Sequence, residues 1–133
     1  MKTHDYDPEW DYEIAKPNRD MTQTVKTISK RIKKDLMPLK EFKTFTIAFI
    51  KNTDCLGTYV TGTHSEPVIL LNLKELKEGC NEANVDLPTG IETTITHELA
   101  HAIQDARGLP ADEEQAEDFA YNYNNILPLP LIK

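Results

Sequence analysis

An α+β domain is the fold class this sequence predicts, and three observations carry it. Apolar residues recur at three-or-four spacing from Met21 to Leu36, the period of a helix. Three short β-rich runs follow between residues 45 and 73. Two further helical segments come after residue 89. The expected architecture is an N-terminal helix, a small three-stranded sheet of mostly antiparallel or mixed pairing, a helix carrying the run HELAH, and an antiparallel helix after it. Residues 1–20 read as an extended arm, 21–127 as the folded domain and 128–133 as a C-terminal tail.

The arm is acidic, aromatic and Pro-containing, without an apolar period; it is expected to pack through Trp10 and Tyr12. In the first helix Met21, Val25, Ile28, Ile32 and Leu36 form the buried stripe, Asp20 is the expected N-cap and Pro38 the stop. Lys26, Lys30, Lys33 and Lys34 fall on the opposite face, which reads as solvated. FTIAFIK (45–51), TYVTG (58–62) and the nearly continuous apolar run VILLNL (68–73) are the strands, with NTDCLG and THSEP turning the chain between them. KELKEGC (74–80) reads as a short helical turn and NEANVDLPTG (81–90) as a loop. The HELAH helix opens at Thr89 or Gly90 and ends near Gly108–Pro110; the last helix covers about 111–126 and stops before Pro128.

Composition narrows the function classes. A net charge of −7 lacks the basic footprint a nucleic-acid partner demands. No stretch approaches the ~18 apolar residues of a membrane span. The start, MKTHDYDPEWDYE, carries no apolar h-region, so a cytoplasmic location is expected. Cys55 and Cys80, the two cysteines, suit free thiols in a reducing compartment rather than a disulfide framework.

HELAH, residues 97–101, holds the chemistry. Four residues of helix advance ~400°, so His97 and His101 point within ~40° of each other, ~6 Å apart along the axis. Two imidazoles so placed reach one zinc ion. Glu98 lies ~100° round from His97, beside the metal, where a general base can reach a water without displacing it. Ile95, Leu99, Ala102, Ile103 and Ala106 form an apolar stripe, and Thr94, His97, Glu98, His101 and Asp105 are expected on the other side.

A catalytic zinc site needs a third protein ligand. No histidine follows His101, while His4 and His64 lie far upstream and read as surface residues. The acidic run ADEEQAEDFA (111–120) is the source that remains, once Gly108-Leu109-Pro110 has turned the chain. Glu113 and Glu117, four apart, share a face with Ala116, Ala120 and Tyr121, and small Ala116 and Ala120 allow close helix approach. Glu113, Glu114 and Glu117 all remain candidate ligands at this point. Acidic residues in a first helical turn also stabilise the helix dipole with no ligand role.

HELAH followed by EEQAEDFA resembles the ImmA/IrrE-type zinc metallopeptidases, gluzincin-like proteins with HExxH and a later helix of the form ExxA(D/N)xFA. The upstream run LGTYVTGTHSEPVILLNL is similar to that family's sheet. The resemblance covers about residues 22–127, with its specific part at 94–121. It implies a zincin-like fold, in a minimal single-domain form, with one Zn2+ per chain. It puts the third ligand at Glu113, matched by Ala116, Phe119 and Ala120, and puts Glu117 in support of a zinc-bound histidine.

The reaction implied is hydrolysis of a protein or peptide substrate, with Glu98 as base and then acid. Tyr121 and Tyr123 are the candidates for stabilising the oxyanion, and His64 is a further one. An extended substrate can add a strand to an exposed sheet edge. The alternative is a non-catalytic module that zinc holds together for protein contact. In such a closed site Glu98 has no task. A nucleic-acid role for the basic face of the first helix is opposed by the acidic total.

Overall fold

The computed structural model describes residues 6–7, 12–36, 44–51, 55–60 and 67–125. In chain order the elements are β1 (Tyr6–Asp7), β2 (Tyr12–Ile14), α1 (Arg19–Leu36), β3 (Thr46–Lys51), β4 (Gly57–Val60), β5 (Val68–Leu71), α2 (Leu73–Ala83), α3 (Leu87–Ala106) and α4 (Glu113–Asn125). His4, Trp10, Pro38, His64, Pro128 and the expected tail lie outside the described residues.

The three expected strands form the mixed part of the sheet. β3 pairs parallel with β5, and β4 pairs antiparallel with β5. β5 therefore lies between the other two, which explains its unbroken apolar sequence: Val68, Ile69, Leu70 and Leu71 are all buried. The arm is not simply extended. Its β1 and β2 form an antiparallel hairpin that continues the sheet along β3, giving the order β1-β2-β3-β5-β4. Alternation in the short arm segments is too brief to signal strands; pairing with β3 supplies what local sequence lacks.

The helices follow their caps more than their apolar runs. α1 starts two residues early, because Asn18, not Asp20, accepts the Met21 N–H at 2.8 Å. Asp20 instead occupies the first turn, facing the positive end of the helix. Val25, Ile28 and Ile32 are buried as the period requires. VILLNL does not stay a strand to its end: Asn72 leaves the sheet and caps α2, its side chain accepting from Glu75 N at 3.2 Å.

The expected loop at 81–90 is mostly helix. α2 runs to Ala83 and ends on Asn84 in the left-handed region at φ 59°. α3 then opens at Leu87 on an Asp86 cap, which accepts from Thr89 N at 3.2 Å and from its hydroxyl at 2.9 Å. Pro88 belongs to the first turn, where a missing N–H costs nothing.

α3 is the centre of the molecule. It packs against α1, α2, α4, β4 and β5, and its contact with α4 is the most extensive of any pair of elements. The main core gathers Ile91, Ile95, Leu99 and Ile103 of α3 with Val25 and Ile32 of α1, Ile69 and Leu71 of β5, and Phe119 of α4. The two-sided division expected for this helix fails at three places. Thr94 and His101 are buried, and Ala106 is exposed at the helix end. A helix covered on several sides has no single polar face, and its polar groups must be satisfied inside the protein. Arg31 of α1 ties to Glu92 by an ion pair.

Two glycines permit this packing. A Cβ at Gly57 would stand 2.8 Å from Thr94 Cγ2, so β4 lies almost directly on α3. A Cβ at Gly90 would stand 2.2 Å from Cys80 Sγ, which makes buried Cys80 a packing group between α2 and α3. Gly90→Ala should lose about 1–3 kcal/mol in denaturant unfolding, the scale of overpacking a tight core. Adding Cys80→Ala should recover most of that loss, because the Cβ of residue 80 is 4.0 Å away. A single variant as stable as the parent would contradict this close approach.

Candidate metal centre

Three side chains from two helices meet at one point. On α3 the rings of His97 and His101 have centroids 4.9 Å apart and planes inclined at 71°. From the first residue of α4, Glu113 directs one carboxylate oxygen to each ring. Oε1 lies 3.0 Å from His97 Nε2, and Oε2 lies 3.0 Å from His101 Nε2. The first contact has hydrogen-bond geometry; the second is one of proximity, without the angle of a directed bond.

The short connection between the helices makes this possible. Gly108 adopts φ +71°, a conformation that strains other residues, and its N–H donates to Asp105 O at 3.1 Å. Leu109 N donates to Gln104 O at 2.9 Å, closing the end of α3. Asp112 then caps α4, accepting from Gln115 N at 3.0 Å through Oδ1 and from Ala116 N at 3.1 Å through its main-chain oxygen. Ala116, Phe119 and Ala120 are buried, so small residues do let α4 lie close on α3, as expected.

The donor set suits a divalent ion. The ligand atoms of His97, His101 and Glu113 all lie within 4.8 Å of one another. Donors ~2.0–2.1 Å from a tetrahedral zinc are ~3.3 Å apart, close to the two 3.0 Å nitrogen–oxygen separations. Two imidazoles and a carboxylate are also a known catalytic combination for zinc. Exposure is graded across the group: the His101 side chain is 9% exposed, His97 21% and Glu113 76%. The histidines are anchored in the interior, while the carboxylate side stays open to water.

Glu98 is half-buried beside this group. Burial raises its carboxyl pKa from 4.5 to about 7; His101 pulls it down and Glu113 pushes it up, each by less. A carboxyl that changes state near neutrality is suited to accepting and returning a proton.

Of the other sequence candidates, Glu114 and Glu117 are exposed and lie outside the three-residue group. Tyr121 is 60% exposed and eight residues beyond Glu113, ~12 Å further along the axis of α4. Nothing is described of the Tyr123 side chain. Among the lysines, Lys33 Nζ sits 5.0 Å from the centroid of Phe45, while Lys26, Lys30 and Lys34 are exposed, as a solvated face should be. No described helix is long and apolar enough to cross a membrane.

One residue escaped the sequence reading. Gln104 is buried, and its Oε1 lies 2.9 Å from His101 Nδ1. Its Nε2 donates to Asp112 O at 3.0 Å and to Gln115 Oε1 at 2.8 Å. Its spacing from His101 was the available signal: residues three apart on a helix are neighbours.

Protein-family models, curated proteins and solved structures offer no match to this chain.

The state of Glu98 has a measurable consequence in the metal-free protein. A folded pKa of about 7, raised from 4.5, gives stability that is complete below about pH 4.5 and lost as pH rises through 7. Glu98→Gln does not titrate. Treated with chelator, this variant should match the parent's melting temperature near pH 4.5. At pH 8 it should exceed it by an amount on the order of 1 kcal/mol, a few degrees, given solvent screening of a half-buried group. Thermal melts showing the same gap at both pH values would contradict the burial effect.

Proposed function

We propose that this chain is a zinc-dependent metallopeptidase of the ImmA/IrrE-like, zincin-type kind, hydrolysing peptide bonds of a protein substrate. The observation that carries the reading is the convergence of His97, His101 and Glu113, with Glu98 next to them. His97 and His101 would hold the ion from α3 and Glu113 from α4. Zinc, when bound, supplies Lewis acidity toward a carbonyl and lowers the pKa of a water.

The remaining work falls to the chain's own groups. Glu98 accepts a proton from the attacking water and returns it to the leaving amine as the carbon–nitrogen bond breaks. In the metal-free protein burial holds this carboxyl at about 7; a zinc ion bound beside it would lower that value and favour the carboxylate that accepts the proton. The burial that raises it also keeps bulk water from competing for the proton. Glu113, being the exposed ligand, leaves room on its side for substrate.

Substrate has a natural place on β4. This strand ends the sheet order and packs against α3, with Gly57 pressed on Thr94, three residues before His97. An extended peptide adding to that edge by main-chain hydrogen bonds would run alongside the helix that carries the histidines.

Purified parent protein should bind one zinc per chain and cleave peptides from a mixed fluorogenic library. Glu98→Gln should keep the zinc and lose hydrolysis by ~10²-fold or more, the scale of general acid–base catalysis. Retained hydrolysis would overturn the role of Glu98. Zinc binding with no hydrolysis in the parent would favour a structural site instead. Glu113→Ala should weaken zinc binding more than Glu114→Ala or Glu117→Ala, as read by titration against a chromophoric chelator. Equal losses in the three variants would contradict the ligand choice.

A further inference from the structure

We infer that Gln104 is a positioning residue of the metal centre, whose one carboxamide both selects the His101 nitrogen that faces Glu113 and clasps the turn that delivers Glu113. The inference deepens the metal reading above and rests on it.

The direction of the hydrogen bonds decides which nitrogen is selected. A main-chain carbonyl can only accept, so the Gln104 atom 3.0 Å from Asp112 O is the NH2 group. A main-chain N–H can only donate, so the Gln104 atom 3.2 Å from Asp112 N is the oxygen. Both ends of the carboxamide are thus oriented by groups that have no freedom to invert. The atom 2.9 Å from His101 Nδ1 must then be an acceptor, and Nδ1 must carry a proton. A neutral ring with its proton on Nδ1 keeps its lone pair on Nε2. Nε2 is the nitrogen that lies 3.0 Å from Glu113 Oε2.

The same atoms complete the cap of α4. Asp112 and Gln115 stand at the N-cap and N3 positions, the spacing of a capping box. In that arrangement the N3 side chain would reach back to the N-cap N–H. Here Gln104 of α3 accepts from Asp112 N, and Gln115 Oε1 instead accepts from Gln104 Nε2 at 2.8 Å. The first turn of α4 is therefore closed from the neighbouring helix, one residue before Glu113. Gln104 is only 1% exposed, so water cannot readily replace these bonds. Orientation of one ligand and delivery of another depend on a single side chain.

Gln104→Leu and Gln115→Leu separate the two roles, since both loosen the turn but only the first touches His101. Zinc affinity is measured by chelator competition, melting temperature on the metal-free proteins, and the protonated His101 nitrogen by long-range ¹H–¹⁵N correlation on metal-free parent at a pH where the ring is neutral. Both variants should melt lower than the parent. Gln104→Leu should lose zinc affinity by roughly 10–100-fold, the scale for partners behind a ligand, and clearly more than Gln115→Leu, which loosens the turn but leaves His101 its partner. The parent spectrum should place the proton on Nδ1. An affinity for Gln104→Leu equal to the parent's, or a proton on Nε2, overturns the inference and leaves the metal reading standing. If Gln104→Leu does not fold, the parent spectrum decides alone. A parent that binds no zinc removes the metal reading and this inference together.

Discussion

A carboxylate borne by one helix has to meet two imidazoles borne by another, across a connection of only six residues. That requirement organises the molecule around α3. Two turns of this helix must bring rings to one side while its other sides pack against α1, α2 and the sheet. Glycine at position 90, glycine at position 57 and alanine at 116 and 120 are the adaptations: each removes atoms where a neighbour must come near. The left-handed turn at Gly108 then reverses the chain within reach of His97.

Burial differs across the three candidate ligands. His101, nearly inaccessible, is held by a neighbour inside the protein, and His97 is intermediate. Glu113 remains largely in water, so its carboxyl group is presented without the cost of full desolvation. Glu98 is the reverse case. Its partial burial disfavours the ionised form and raises its carboxyl pKa to about 7 in the metal-free protein. Four ionisable side chains in one small region thus occupy four environments. The differences come from which helix face, and which end of a helix, each belongs to.

Much of this was legible before any coordinates. The HELAH spacing places both rings on one side by helical geometry alone, and Glu113 was among the acidic candidates through its place in the following helix. The α1 stripe and the three central strands also follow from period and composition. What was not legible depends on neighbours. Pro88 and the polar residues around it look like loop until Asp86 is recognised as a cap. Asn72 looks like the end of a strand for the same reason. The arm becomes a hairpin because β3 offers it an edge. Thr94 and His101 turn inward, against amphipathic expectation, since α3 has packed elements on most sides. Gln104 carries no motif; its meaning lies in a hydrogen-bond chain that joins residues eight and eleven positions apart.

In the proposed centre, two imidazole nitrogens and one carboxylate oxygen hold a single zinc ion with a position left for water. X-ray absorption at the zinc edge of the loaded protein tests it most directly. Four light scatterers at ~2.0–2.1 Å are expected, with the multiple-scattering signature of two imidazole rings and no sulfur. A sulfur shell at ~2.3 Å, or a spectrum with a single imidazole, would contradict it.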